Sequence, residues 1–150
     1  MVVLDGVDGV RARLGEELGV SAWHEVTQAD VDVFAEVTGD DQWIHVDVER
    51  ARASRFKGTI AHGFYTLSLG PALADDVYRF EGFSFGLNYG LGRVRFPSPM
   101  PVGGCLRLRA QLTGADDIDG GVQVTLTHTF ERDGGDKPVC VAEALGRFYV

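Results

Sequence analysis

Apolar and polar positions change rhythm about halfway along the chain. Up to roughly residue 80 the apolar residues recur every three or four positions, the period of a helix with one buried face; from Phe83 onward they alternate, the period of a strand. Leu4, Val7, Val10, Leu14 and Leu18 fall on one helical stripe, which predicts an amphipathic helix ending at Gly19. The stretch "TQADVDVFAEVTG" predicts a second, with Thr27 as N-cap, Asp30 in the first turn, Val31, Phe34 and Ala35 facing inward, and Gly39 just past the C-terminus. A short third helix is expected after Asp47, carrying Ala51 and Ala53. The run "TIAHGFYTLSLGPALADDVYRF" is too continuously apolar for a surface helix. It predicts a buried central helix that starts near His62 and Gly63, with a kink or restart at Gly70-Pro71.

The second half reads as strands: "SFGLNYG", "GRVRF", "CLRLRAQLTG", "VQVTLTHTFER" and "PVCVAEALGRFYV". Alternation is clearest where Leu106, Leu108, Ala110 and Leu112 take one face and Arg107, Arg109 and Gln111 the other. The breaks "PSPMPVGG", "DDIDGG" and "RDGGDKP" supply turns. Helices followed by an antiparallel sheet define an α+β arrangement, and 150 residues suit a single domain, 1–150.

Composition narrows the function. With 45% hydrophobic and 24% charged residues the chain is neither membrane-like nor disordered, and no apolar run approaches the roughly 18 to 20 residues a bilayer needs. The first twenty residues lack the basic and apolar regions of a signal peptide, so a cytoplasmic location is expected. A net charge of -8 with scattered basic residues argues against nucleic acid. Cys105 and Cys140 stand far apart without a CxxC or His-rich spacing, so no metal site is expected and both read as free thiols.

Two short segments carry chemistry. "TGDDQWIH", Thr38 to His45, places an aspartate and a histidine in one loop after a helix end, two proton-transfer groups of different ordinary pKa. "IAHGFYTLS" puts His62 and Gly63 at a helix start, where backbone N–H groups are free and a glycine lets a ligand oxygen approach, as an oxyanion hole requires. Asp41 reads as solvated. Arg93 and Arg95 in "GRVRFP" could meet phosphates or simply alternate on an exposed strand, Asn88 and Tyr89 read as packing, and His24 and His128 lie outside both segments.

Together the order Thr38-Gly39-Asp40, His45, Asp47, then "IAHGF" with Ser68 six residues beyond His62, resembles the MaoC-like, R-specific enoyl-CoA hydratases (hydratase 2 type), including the nodulation protein N-like branch. The similarity in motif order runs from about Val26 to Gly103. It implies a hot-dog fold, an antiparallel sheet wrapped around a long helix, in a homodimer with sites near the interface. It also implies addition of water to a trans-2-enoyl-CoA to give a (3R)-3-hydroxyacyl-CoA, or the reverse. Carried over, Asp40 and His45 are the catalytic dyad, the Gly63 N–H is the oxyanion donor, and Ser68, His62, Trp43 and Arg95 are substrate-side candidates. No cofactor is implied, coenzyme A arriving as part of the substrate. The family's D-x-N-P-[IL]-H is here "DDQWIH", with Gln42 and Trp43 replacing Asn-Pro, and its usual Pro-Gly-Asp is "VGGC", with Gly104 where an acid is common. Two alternatives stay open at this level: an acyl-CoA thioesterase on the same fold, and a non-catalytic acyl-CoA-binding subunit.

Overall fold

A computed structural model describes residues 1–150. The elements run β1 (Val2–Asp5), α1 (Gly6–Ala12), β2 (Glu17–Val20), β3 (His24–Glu25), α2 (Gln28–Thr38), α3 (Trp43–Val46), α4 (Val48–Arg52), α5 (Gly63–Ser68), α6 (Gly70–Ala74), β4 (Tyr78–Glu81), β5 (Phe85–Arg95), β6 (Cys105–Ile118), β7 (Gly121–Arg132) and β8 (Cys140–Tyr149). The main sheet is antiparallel in the order β2-β6-β7-β8-β5, with β3 also on β6, while β1 and β4 form a separate parallel pair. The predicted alternation holds: Leu106, Leu108, Ala110 and Leu112 are fully buried, with Leu108 opposite Phe130, Ala110 opposite His128 and Leu112 opposite Leu126 of β7.

The α5–α6 pair lies across this inner face and buries Tyr65, Thr66, Leu73 and Ala74 against it. It is one helical axis interrupted at Leu69, where Gly70 and Pro71 restart the helix as expected. Gly70 lies close over β7: a Cβ there would be in ordinary contact, 3.5 Å, with the Phe130 ring. The prediction for α2 also holds. Thr27 Oγ1 accepts from the Asp30 N–H at 3.2 Å, Val31 and Ala35 are buried, and Gly39 closes the helix in the left-handed region at φ 74°. Asp47 caps α4 in the same way, its Oδ1 accepting from the Arg50 N–H at 3.0 Å.

Two expectations are corrected. The stripe Leu4 to Leu18 is not one helix but strand, helix and strand, because Gly6, Gly15 and Gly19 all take positive φ and Leu4 and Leu18 are drawn into ladders with β4 and β6. Leu4, Val10 and Leu18 are still buried, so a helical period arose from three separate elements facing one core. The central apolar run does not stay helical to Phe80 either: Tyr78–Glu81 leaves as β4 to pair with β1. No helix is long and apolar enough to cross a membrane.

Candidate active site

The site grows from the C-terminal end of α2. Gly39 turns the chain out of the helix, Asp40 and Asp41 follow in the exposed loop, and the one-turn helix α3 carries His45 back into the protein, where it is 6% exposed. Gln28, the first residue of α2, secures this return: its Nε2 donates to the His45 carbonyl at 2.8 Å and its Oε1 accepts from buried Thr59 at 2.5 Å. The His45 ring points its Nδ1 at the Ile60 carbonyl, 2.7 Å away. A carbonyl only accepts, so Nδ1 carries the proton and Nε2 presents a lone pair. Burial lowers the His45 pKa from its ordinary value, with the nearby His62 acting in the same direction and the Ile60 bond and Asp40 opposing.

His62 enters from the other segment as the residue before α5. It is 2% exposed, its Nε2–H donates to the main-chain oxygen of Asp40 at 2.8 Å, and its ring stacks on His45 with centroids 3.7 Å apart and planes inclined by 25°. The Asp40 carboxylate stays about half exposed, with Oδ2 4.0 Å from His62 Nε2. Asp40, His45 and His62 thus offer ligand atoms within 4.8 Å of one another, a set that could be read as a metal centre. Two of the ring nitrogens are already committed, however: His62 Nε2 donates to the Asp40 main-chain oxygen and His45 Nδ1 to that of Ile60, so neither has a lone pair for an ion.

Beside the rings lies a cavity of about 270 Å³ whose walls include His45, Gly63, Thr66, Phe96, Met100 and Val139. Ile60, Phe96, Met100 and Val139 give it apolar wall, and His45, Thr66 and Ser98 are its polar side chains. Gly63 is the first residue of α5, so its N–H has no partner inside the helix. A Cβ at Gly63 would sit 3.0 Å from three atoms of the Phe96 ring, which shows how closely the wall approaches this backbone. A second, open depression of about 460 Å³ lies beyond Gly39 among Asp32, Glu36 and Asp41, and holds no histidine. Asp41 belongs to that solvated side, as expected.

Of the residues singled out in the sequence, the fold brings Asp40, His45, His62 and Gly63 together. Ser68, Trp43 and Arg95 lie elsewhere within this chain. Ser68 is exposed on the same stripe of α5 as Phe64, and its hydroxyl donates to the Phe64 carbonyl at 2.6 Å; Thr66, two positions earlier and 2% exposed, lines the cavity instead. Trp43 packs under the Arg50 guanidinium at 4.3 Å, and Arg95 bonds its neighbour's carbonyl on the exposed strand β5. Gln28, Ile60 and Phe96 were not foreseen. Thr66 carried the one usable signal, being four positions after His62 and therefore on the same helical face.

A model of the family described as "MaoC like domain" matches residues 10–132. The 3-hydroxyacyl-thioester dehydratase Z of Mycobacterium tuberculosis (strain ATCC 25618 / H37Rv) is 47% identical over 149 residues, 99% of each chain. Nodulation protein N of Rhizobium leguminosarum bv. viciae is 43% identical over 136 residues, 89% of this chain and 84% of that one. Among solved structures, the unliganded R-hydratase PhaJ1 from Pseudomonas aeruginosa superposes with a TM-score of 0.73 at 23% identity, over 91% of this chain and 81% of that one. The (R)-hydratase from A. caviae involved in PHA biosynthesis gives 0.72 at 22% identity, over 89% and 94%. The fold is the hot-dog fold. The chain belongs to the MaoC-like dehydratase family and is an enzyme of the hydro-lyase class.

Proposed function

We propose that the protein interconverts a trans-2-enoyl-CoA and a (3R)-3-hydroxyacyl-CoA by acid–base catalysis at Asp40 and His45. The observation that carries this reading is the fixed tautomer of His45: Nδ1–H is held by Ile60, which leaves a bare Nε2 on a ring that lines the same cavity as Gly63 and has an Asp40 carboxylate oxygen within 4.8 Å of one of its nitrogens. In hydration, Nε2 takes one proton from water as the water oxygen bonds to C3, and Asp40 orients that water by accepting its other hydrogen. Negative charge moves to the thioester oxygen, where the Gly63 N–H meets it. The imidazolium then returns its proton to C2, so that H and OH are added and the dyad is restored. Dehydration is the same path reversed. The chemistry calls for no resident cofactor, and a cytoplasmic setting suits a CoA substrate and two free thiols. The (3R) outcome rests on motif resemblance.

A homodimer is part of this reading. Strand β5 is an edge of the sheet with its outer hydrogen-bonding side unpaired, and Phe85, Leu87, Tyr89 and Leu91 on it are about half exposed, close to the level at which Phe96 and Phe64 are also open. A long apolar edge strand left to water invites pairing, and a second copy supplies an identical edge.

The test gives the purified protein crotonyl-CoA and a medium-chain trans-2-enoyl-CoA, following enoyl absorbance together with a thiol reagent. Loss of absorbance without free thiol is expected. Thiol release would make it a thioesterase, and ligand binding without turnover, unchanged by Asp40→Asn, a binding subunit.

A further inference from the structure

The two residues of the proposed dyad stand five positions apart, and while Gln28 secures the His45 end of that segment, the Asp40 end is held weakly. The Asp40 N–H has only a long contact, 3.4 Å, to Thr38 Oγ1, and the Asp40 side chain is about half exposed. The bond that ties the Asp40 backbone to the protein interior is the one from His62 Nε2–H to its carbonyl. The same ring lies against the His45 imidazole at 3.7 Å, and Phe34 of α2 closes its surroundings at 5.0 Å. One buried side chain therefore touches the backbone of one member of the dyad and the ring of the other.

A histidine is not the cheapest residue for either contact. With Nε2–H donating, His62 Nδ1 is left bare, and it is buried without any partner. Glutamine could reach a carbonyl from the same position without burying an orphaned ring nitrogen, and phenylalanine could supply the flat face without a polar atom. Only a ring with an N–H on its edge does both.

We propose that His62 is the positioning residue of this site, registering Asp40 to His45 by holding the Asp40 main-chain oxygen with its edge and the His45 imidazole with its face. The consequence for turnover rests on the hydratase reading; the geometry does not. The groups that face His45 are the Asp40 carboxylate from the α2–α3 loop, the Ile60 carbonyl from the segment before α5, and the His62 ring. Removing the ring removes a neighbour that disfavours the imidazolium, so the His45 midpoint rises.

Long-range ¹⁵N–¹H NMR of the histidine rings tests the arrangement without substrate. In the wild-type protein His62 is expected as the Nε2–H tautomer and His45 as the Nδ1–H tautomer. His62→Phe keeps the face and loses the donor, so kcat per folded molecule should fall roughly tenfold to a hundredfold with little change in KM, as expected when a reacting group is displaced by about an ångström. His62→Gln keeps the donor, so it should retain more kcat than His62→Phe, while the His45 midpoint moves upward in both. A purely structural role would lower the folded fraction and leave kcat per folded molecule unchanged. The proposal is overturned if wild-type His62 carries its proton on Nδ1, or if both variants fold with an unmoved His45 midpoint and unchanged kcat. A wild-type protein silent toward enoyl-CoA would overturn the hydratase reading and leave the tautomer result standing.

Discussion

The Nδ1–H of His45 is held by the main-chain oxygen of Ile60 at 2.7 Å, and Ile60 is itself pinned, its N–H donating to the Ile44 carbonyl at 3.0 Å and its backbone bridging to Pro101. The acceptor that sets the tautomer is therefore backbone inside a braced segment. The free nitrogen of the proposed dyad is defined by the fold rather than by any side chain that a substitution could remove.

That arrangement sets the pH dependence. Burial lowers the His45 pKa below its ordinary 6.5, the Ile60 bond notwithstanding, so the neutral base predominates at pH 7. The rate of hydration, read as kcat/KM, should be level near neutrality and fall as pH drops, with its acid limb centred below 6.5. A limb centred above 6.5 would show that a different group takes the proton from water.

Asp40→Asn and His45→Gln should each lower kcat/KM by about 10²-fold or more, the loss expected when the group that orients the attacking water or the general base is removed. Their effects on stability should differ. The Asp40 side chain is half exposed with no hydrogen-bond partner, so Asn should leave the urea midpoint near wild type, whereas His45→Gln disturbs a buried bond worth roughly 1 kcal/mol. Full activity in both folded variants would remove the dyad assignment.

Gly63 offers a test of wall and donor together. A Cβ at this position meets Phe96 at 3.0 Å, so Gly63→Ala must push either the ring or the start of α5. Misplacing an oxyanion donor should cost kcat about 10-fold to 10²-fold. Phe96→Leu in the same chain removes the ring atoms, and the double variant should be more active than the sum of the two single effects allows. Additive losses would mean that the two residues do not share this contact.

Much of this was legible in the sequence because local physics and fold agree there. Thr27 and Gly39 bound α2 by capping and left-handed geometry that need no tertiary partner, and the alternation of β6 survives because its inner face is buried along the whole stretch from Leu106 to Leu112. The Leu4–Leu18 stripe misled because periodicity records burial and not the element that achieves it. At the site, Asp40, His45, His62 and Gly63 were found as residue types in a recognisable order. Ile60 acts through a carbonyl every residue has, Gln28 through contacts made by folding, and Ser68 was displaced by helical phase, which turns Thr66 inward and Ser68 outward.

Strand β5 predicts the oligomeric state. Leu87 lies near the start of β5 with about half its surface open and no partner strand beyond it. Light scattering should give a dimer for the wild-type protein, and Leu87→Asp should shift it toward monomer, since a charge on an edge strand opposes edge-to-edge pairing. A wild-type monomer at micromolar concentration would overturn the homodimer.

The buried His128 predicts acid sensitivity away from the site. It is 7% exposed beneath α6, its Nε2 lies 3.0 Å from the Tyr78 hydroxyl, and burial pushes its pKa down from 6.5 to about 4. The unfolded chain therefore binds more protons than the folded one between those values, and stability falls as pH drops through that window. This contribution is fully present above pH 6.5 and is lost by about pH 4, a difference of about 3 kcal/mol at roughly 1.4 kcal/mol per pKa unit. His45, also lowered by burial, adds a loss of the same sign, so the two must be separated. Urea unfolding from pH 7.5 to 4.5 should show a shallower pH slope for His128→Gln than for wild type, even if the variant starts from a lower stability. Parallel slopes would mean that His128 does not titrate on unfolding.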